Sequence, residues 1–160
     1  MRQILAGKDE FVAKWVASKI PVFEFGSSPY TAIGLMNEAG LLAGVIYQNY
    51  TRRDIQMHVA ALPGKRWLSK QFLGEAFRYP FETLGVTRIT APIPSKNSAS
   101  ESFCRHLGFT FEGRLREMLP GEDLLVYGML REECRYLEVG RFNGKSNRFH
   151  SFPERTAAAL

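Results

Sequence analysis

The spacing of apolar residues changes along the chain, and each change predicts a structural element. Residues 9–18 carry apolar side chains at helical spacing, with Asp9 as the expected N-cap. Between residues 30 and 62, three apolar runs rich in β-branched and aromatic residues are separated by the turn sequences "NEAG" and "RRD". Such runs are typical of an antiparallel meander of three strands.

The next segment, from Trp67 to Leu84, returns to helical spacing. Pro80 is expected to interrupt this helix because its ring removes a backbone donor, and Gly85 is expected to end it. The sequence "VTRITAPI" then predicts another strand.

A last helix is predicted over residues 98–107, followed by a hairpin around the turn "PGED". Ser98 and Glu101 have the spacing of a capping box at its start. Gly108 is expected to end it in the left-handed conformation, which makes Gly108→Val destabilising.

The predicted order is helix, three strands, helix, strand, helix and two strands. This is an α+β fold with a mixed, mostly antiparallel sheet, because a helix separates the third strand from the fourth. We predict one domain over residues 1–137. The pattern weakens afterwards, and residues 138–160 are expected to form a tail or a docked extension.

Composition narrows the class of protein. With 160 residues, 45% hydrophobic, the chain can bury a core, and its net charge of +5 favours anionic partners. The N-terminus lacks the apolar core of a signal peptide, and no run is long enough for a membrane span. Cys104 and Cys134 form no CxxC pair, so we expect reduced thiols in a cytoplasmic protein.

Several well-known motifs are excluded. "GRFNGKS" leaves three residues between Gly140 and Gly144, where a phosphate loop needs four. The histidines His58, His106 and His150 lie far apart, so no metal site is predicted. A G-x-S-x-G nucleophile elbow is missing as well.

The stretch "ALPGKRWLSK" favours an anion site. A glycine and three cations precede or open a predicted helix, whose first N–H groups are unpaired and carry partial positive charge. Phosphate or pyrophosphate fits such a turn. The alternative is an ordinary strand-to-helix turn with solvated cations.

The second half adds a specific resemblance. The run "NSASESFCRHLGFTFEGRLR" resembles the Gcn5-related N-acetyltransferase (GNAT) superfamily, particularly the branch that acetylates ribosomal-protein N-termini. The ending "YGMLREECRYL" resembles small phage and prophage members. The similarity covers roughly residues 8–137. It implies a sheet whose two central strands splay apart.

The resemblance also implies acetyl-CoA as co-substrate. Its pyrophosphate would lie on the turn whose backbone is formed by Gly64, Lys65, Arg66, Trp67, Leu68 and Ser69. Here the chain departs from the family's loop, because it has one glycine and an inserted Trp67. Asn97 would contact the pantetheine arm or brace the gap, and the alternative is an ordinary turn residue before a helix. Ser100 and Phe103 would also contact the coenzyme, and the amide of Ala61 or Leu62 would stabilise the carbonyl oxygen.

The implied reaction is direct attack of an amine on the thioester. Asp54, Gln56 and His58 alternate along the strand before the turn, and His58 has the ordinary pKa best suited to a base. Asp54 and Asn97 are the other catalytic candidates, and a water relay is the rival base. Cys104 lies where relatives place an acidic tyrosine, and we expect Cys104→Ser to keep most activity.

The amine acceptor is not readable from the motifs. We expect the first helix, residues 20–30 and the final hairpin to select it, in a monomer or homodimer without a membrane partner. The alternative function is a non-catalytic module that uses its basic surface for a protein or for nucleic acid. We favour the enzyme.

Overall fold

The computed structural model describes residues 1–20, 28–64 and 67–137. Its strands are β1 (Gln3–Ala6), β2 (Tyr30–Asn37), β3 (Gly40–Gln48), β4 (Asp54–Ala61), β5 (Arg88–Pro94), β6 (Thr110–Leu119) and β7 (Glu122–Leu130). The helices are α1 (Asp9–Ala17), α2 (Lys70–Arg78) and α3 (Ser98–Leu107). A π-helical turn, Tyr79–Thr83, continues α2, and a 3₁₀ turn, Arg131–Glu133, follows β7. The predicted tail, residues 138–160, lies outside the described residues.

The seven strands form one sheet in the order β1-β2-β3-β4-β5-β7-β6. Neighbouring strands are antiparallel except for β4 and β5, which are parallel because α2 crosses between them. The predicted α+β fold with a mixed, mostly antiparallel sheet is confirmed. The sequence prediction missed β1, a four-residue strand that pairs with β2 and is too short to show a period.

Two apolar layers cover the sheet on opposite faces. On one face Val12 and Val16 of α1 pack against Ile46 and Ala60. On the other face α2 and α3 contribute Phe72, Phe77 and Leu107 to the larger core. The described helices are all too short to cross a membrane.

Two predicted helix caps were wrong. Asp9 begins α1, but its carboxylate accepts a hydrogen bond from the amide of Ala32 on β2, 2.7 Å away, and so ties the helix to the sheet. At α3 the cap is Asn97 and not Ser98, because the Asn97 side chain accepts from the amide of Ser100. Helix α2 also begins later than predicted, at Lys70, where Ser69 caps it.

The predicted interruption and end of α2 are confirmed. Pro80 lies in the π-helical turn where the α-helical hydrogen-bond pattern stops. Gly85 has φ of +71°, a conformation that L-residues with side chains rarely adopt.

Gly108 ends α3 with φ of +103°, as predicted. We therefore expect Gly108→Val to cost on the order of 1–3 kcal/mol of unfolding free energy, because a β-branched residue resists positive φ. Gly108→Asn should lose less, since asparagine tolerates this conformation. Urea denaturation measures both variants, and equal stability of Gly108→Val and wild type would contradict the argument.

The central strands separate after three residue pairs, Asp54–Arg88, Ile55–Ile89 and Gln56–Thr90. The amide of Arg88 donates toward β4, to the carbonyl of Arg53, whereas Ser95 donates toward β7, to Asp123. Because backbone groups alternate sides along a strand, Pro92 would face β4 and has no N–H to donate. The missing donor explains why the pairing stops there.

Candidate active site

A cavity of about 560 Å³ occupies the gap between the separated halves of β4 and β5. It is lined from β4 by residues 57–61, from β5 by residues 91–94, and from α3 by Ser100, Phe103, Cys104 and Leu107. Lys19 and Ile20, which follow α1, line it as well. Since α1 and α3 cover opposite faces of the sheet, the cavity is bounded from both faces.

One wall of the cavity is the strand edge of β4. The amide of Leu62 donates to the carbonyl of Leu42 over 2.8 Å, so even-numbered residues of this strand turn their backbone toward β3. Val59 and Ala61 therefore turn their N–H and C=O groups toward the gap. Of the two amides predicted as the oxyanion donor, Ala61 remains the candidate, because Leu62 is committed to β3.

The predicted anion turn leads into the N-terminus of α2. Gly64 has φ of +67°, and the Ser69 hydroxyl caps the helix by accepting from Phe72. The amides of Lys70 and Gln71 have no partner within the helix, as at any helix start. Lys65 and Arg66, two of the predicted phosphate ligands, lie outside the described residues.

Trp67 and Leu68 have different surroundings within that turn. The Trp67 ring packs against Phe103 of α3, with 5.3 Å between the ring centroids, whereas Leu68 is about half exposed. The inserted tryptophan thus joins the turn to the helix that lines the cavity. The residues lining the cavity do not include Gly64, Trp67, Leu68 or Ser69.

Asn97, Ser100 and Phe103, predicted to contact the pantetheine arm, all line the cavity. The side-chain oxygen of Asn97 accepts from the Ser100 amide at 3.0 Å. This oxygen is therefore used in capping α3, and the Asn97 amide nitrogen is the group left for a ligand. The sequence prediction had both groups available.

Asp54, a predicted catalytic residue, lies away from the cavity. It lies where β4 and β5 are still paired, and its carboxylate accepts from the Thr90 hydroxyl at 2.8 Å and lies 3.4 Å from the Arg88 guanidinium. Asp54 does not line the cavity. Its role in the described structure is to bridge the paired ends of the two strands.

His58 does line the cavity, but the reason for choosing it as a base fails. Burial lowers the pKa of His58 to about 3. The imidazole is therefore neutral at pH 7 and too weakly basic to take a proton from an ammonium group. Its ordinary pKa was the argument from sequence, and burial of the side chain removes that argument.

The same burial predicts a pH dependence of stability. Because the folded-state pKa of His58 lies below the unfolded value of about 6.5, only the unfolded state binds this proton between pH 6.5 and 3. Unfolding free energy should fall with decreasing pH through that window, by roughly 1.4 kcal/mol per pH unit from this group. His58→Gln should show a shallower slope in urea melts between pH 6.5 and 4.5, and His106→Gln, at an exposed histidine, is the matched control. Parallel slopes for His58→Gln and wild type would contradict this prediction.

Cys104 is buried at the cavity wall, and burial raises its pKa to about 12. The thiol therefore stays protonated near neutral pH and packs as a small apolar group. This agrees with the expectation that Cys104→Ser keeps most activity, which stays a prediction.

Three charged residues at the cavity were not predicted. Lys19 lines it from the segment after α1, Lys96 from the segment before α3, and Glu122 from the start of β7. None of them was given a role from the sequence, and only the sheet topology brings them together. Within the described ranges, no group of three potential metal ligands is found.

Comparison with solved structures places the fold. Spermidine N-acetyltransferase from Vibrio cholerae, solved in complex with CoA and spermine, superposes with a TM-score of 0.65 at 15% identity, over 85% of this chain and 98% of that one. A mutant of the same enzyme gives 0.66 at 14% identity, over 85% of this chain and 96% of that one. A GNAT-family acetyltransferase from Bacillus anthracis gives 0.54 at 18% identity, over 64% of this chain and 67% of that one.

The comparisons based on sequence found no match. No protein-family model and no curated protein sequence matches the chain. The fold, including the predicted splay of its central strands, is that of the GNAT-family acetyltransferases.

Proposed function

We propose that the protein is an acyl-CoA-dependent N-acyltransferase that transfers acetyl from acetyl-CoA to a primary amine by direct attack. The observation that carries this proposal is the cavity between β4 and β5, where Val59 and Ala61 turn their backbone groups toward the gap and β5 no longer pairs with β4. Pantetheine is a thin chain with two amide groups, and such a chain pairs with an open strand edge as an added strand would.

The open edge of β4 and the start of α2 have separate parts in this proposal. The backbone of Val59 would hold the pantetheine amides, and the Ala61 amide would donate to the carbonyl oxygen as it becomes negative. The amides of Lys70 and Gln71 would bind the pyrophosphate, because a helix start favours anions. Lys65 and Arg66 remain proposed ligands of the same group. Acetyl-CoA would supply the activated acyl group.

We assign proton removal from the amine to water. His58 is too weakly basic, and Asp54 is held at the far end of the strand by Arg88 and Thr90. Among the described residues that line the cavity, Glu122 is the one carboxylate, and it accepts from the amide of Lys96. The water relay first considered as a rival to His58 thus becomes the preferred route.

Asn97 offers a test that separates cofactor binding from folding. Asn97→Ala should lose the α3 cap, at a cost of about 1 kcal/mol, and should weaken CoA binding. Asn97→Ser keeps a capping oxygen but is too short to reach the gap, so it should fold like wild type and still bind CoA more weakly. Urea melts and calorimetric titration measure the two effects, and a serine variant with unchanged CoA affinity would limit Asn97 to capping.

The identity of the acceptor amine and the branch of the GNAT superfamily are also proposals. The resemblance of residues 108–116 favours the ribosomal-protein branch and small phage members. The spermidine specificity of the structural neighbours is theirs, and at about 15% identity it does not transfer.

A non-catalytic module remains the alternative function, favoured by the net charge of +5. A thermal-shift screen separates the two functions, since a ligand bound only by the folded state raises the melting temperature. We expect CoA and acetyl-CoA to stabilise the protein and short DNA to have little effect. Acetyl transfer to a panel of peptides and small amines, followed through released thiol, completes the test. Stabilisation by DNA that salt abolishes, with none by CoA, would favour the alternative.

A further inference from the structure

The side of the cavity nearest α1 is lined by a positively charged residue, whereas a polycationic acceptor would require negative charge there. Lys19 lies two residues beyond the end of α1 and lines the cavity together with Ile20. Its ammonium lies 5.7 Å from the centroid of the Trp15 ring, which holds the charge near the end of the helix. His58, whose cross-strand partner Ile46 belongs to the α1 layer, faces the same side and is neutral.

A second lysine, Lys96, also lines the cavity. The ammonium of Lys96 lies 3.1 Å from the carbonyl of Gly121, and the amide of Lys96 donates to the carboxylate of Glu122. One carboxylate oxygen of Glu122 is thus used in a hydrogen bond to the segment before α3. Among the described residues lining the cavity, positive charge exceeds negative charge.

Lys19 is the better candidate for contact with the acceptor. Helices α2 and α3 pack on the face opposite α1, so the α2 N-terminus proposed for the pyrophosphate lies away from Lys19. Lys96 immediately precedes Asn97 and α3, on the side proposed for the coenzyme. Of the two lysines, Lys19 is the one that a second substrate would meet on entering from the α1 face.

We propose that the acceptor is an amine bearing an anionic group, a carboxylate or a phosphate, and that Lys19 binds that group. This rests on the proposed acyl transfer. The opposite charge of Lys19 would hold the anionic group of the acceptor and so orient its amine toward the thioester. Lys19 would thereby select the substrate.

Matched acceptors test the proposal. O-phosphoethanolamine is compared with ethanolamine, γ-aminobutyrate with butylamine, and a tetrapeptide with aspartate at positions two and three with its asparagine and lysine counterparts. Spermidine is the polycationic acceptor. We expect wild type to prefer the anionic member of a pair, with a preference that declines as salt is added.

Variants of Lys19 test whether this residue binds the anionic group of the acceptor. Lys19→Gln should raise KM for the anionic acceptor about fivefold, with KM for the neutral one and the Kd of CoA unchanged. Lys19→Glu should reverse the preference. Lys14→Gln is the matched control, because Lys14 lies on α1, the helix that Lys19 follows, and pairs with Glu10 on the surface, 2.6 Å away.

The outcomes separate this proposal from the one on which it rests. Acetyl transfer with a preference for neutral or cationic amines, or equal effects of Lys19→Gln and Lys14→Gln, would overturn the acceptor proposal and leave acyl transfer standing. A weaker Kd of CoA in Lys19→Gln would reassign the lysine to the coenzyme and also overturn it. No transfer to any acceptor by wild type would overturn both.

Discussion

Gly44→Val is expected to destabilise the fold strongly. Helix α1 lies directly on β3 at this position, and an added Cβ would come within 2.5 Å of Val16 Cγ2 and 3.0 Å of Val12 Cγ1. Gly34, paired with Gly44 across β2 and β3, has similar surroundings. Because these two glycines have no side chains, α1 packs closely on the sheet at this position.

The expected loss is on the order of 1–3 kcal/mol of unfolding free energy, since neither valine can move without disturbing the α1 layer. Urea denaturation measures it. Gly113→Val is the matched control, because a Cβ there meets nothing within 4 Å. If both variants were equally stable, α1 would not pack on β3 in this way. A displaced α1 would also move Lys19 and so affect the acceptor before the coenzyme.

Ser100→Trp is expected to abolish most coenzyme binding while the protein stays folded. Ser100 lines the cavity from the first turn of α3, and an indole there would fill space proposed for the pantetheine arm. We expect CoA affinity to fall at least about tenfold, which is about 1.4 kcal/mol of binding free energy. Calorimetric titration with CoA measures the change.

Ser98→Trp is the control for this substitution. Ser98 begins the same helix, is exposed and does not line the cavity, so its variant should bind CoA like wild type. Circular dichroism would verify that both variants keep the fold. Unchanged CoA affinity in Ser100→Trp would remove the cavity from the coenzyme site.

Most of the fold was predictable because local sequence patterns mark the individual strands and helices. Alternating apolar runs indicated β2 to β4, and a left-handed glycine at Gly108 ended α3 where expected. Even the splay has a local cause, since Pro92 removes a donor from the edge that faces β4. The short β1 escaped because four residues show no reliable period.

The candidate site was less predictable because it depends on which groups the fold uses elsewhere. Asp9, expected as a cap, binds the sheet, and the side-chain oxygen of Asn97, expected to be free for the coenzyme, caps α3. His58 loses its basicity through burial, which no single-sequence pattern reports. Lys19 and Lys96 meet at one cavity although they are far apart in sequence, so only the topology relates them.

Amide hydrogen exchange of β4 with and without CoA tests the central claim most directly. Val59 and Ala61 turn their amides toward the gap, whereas the Leu62 amide already donates to Leu42. Exchange at Val59 and Ala61 should therefore slow markedly when CoA is added, while Ala60 and Leu62 change little. Unchanged exchange at Val59 and Ala61 under saturating CoA would contradict the placement of the coenzyme between β4 and β5.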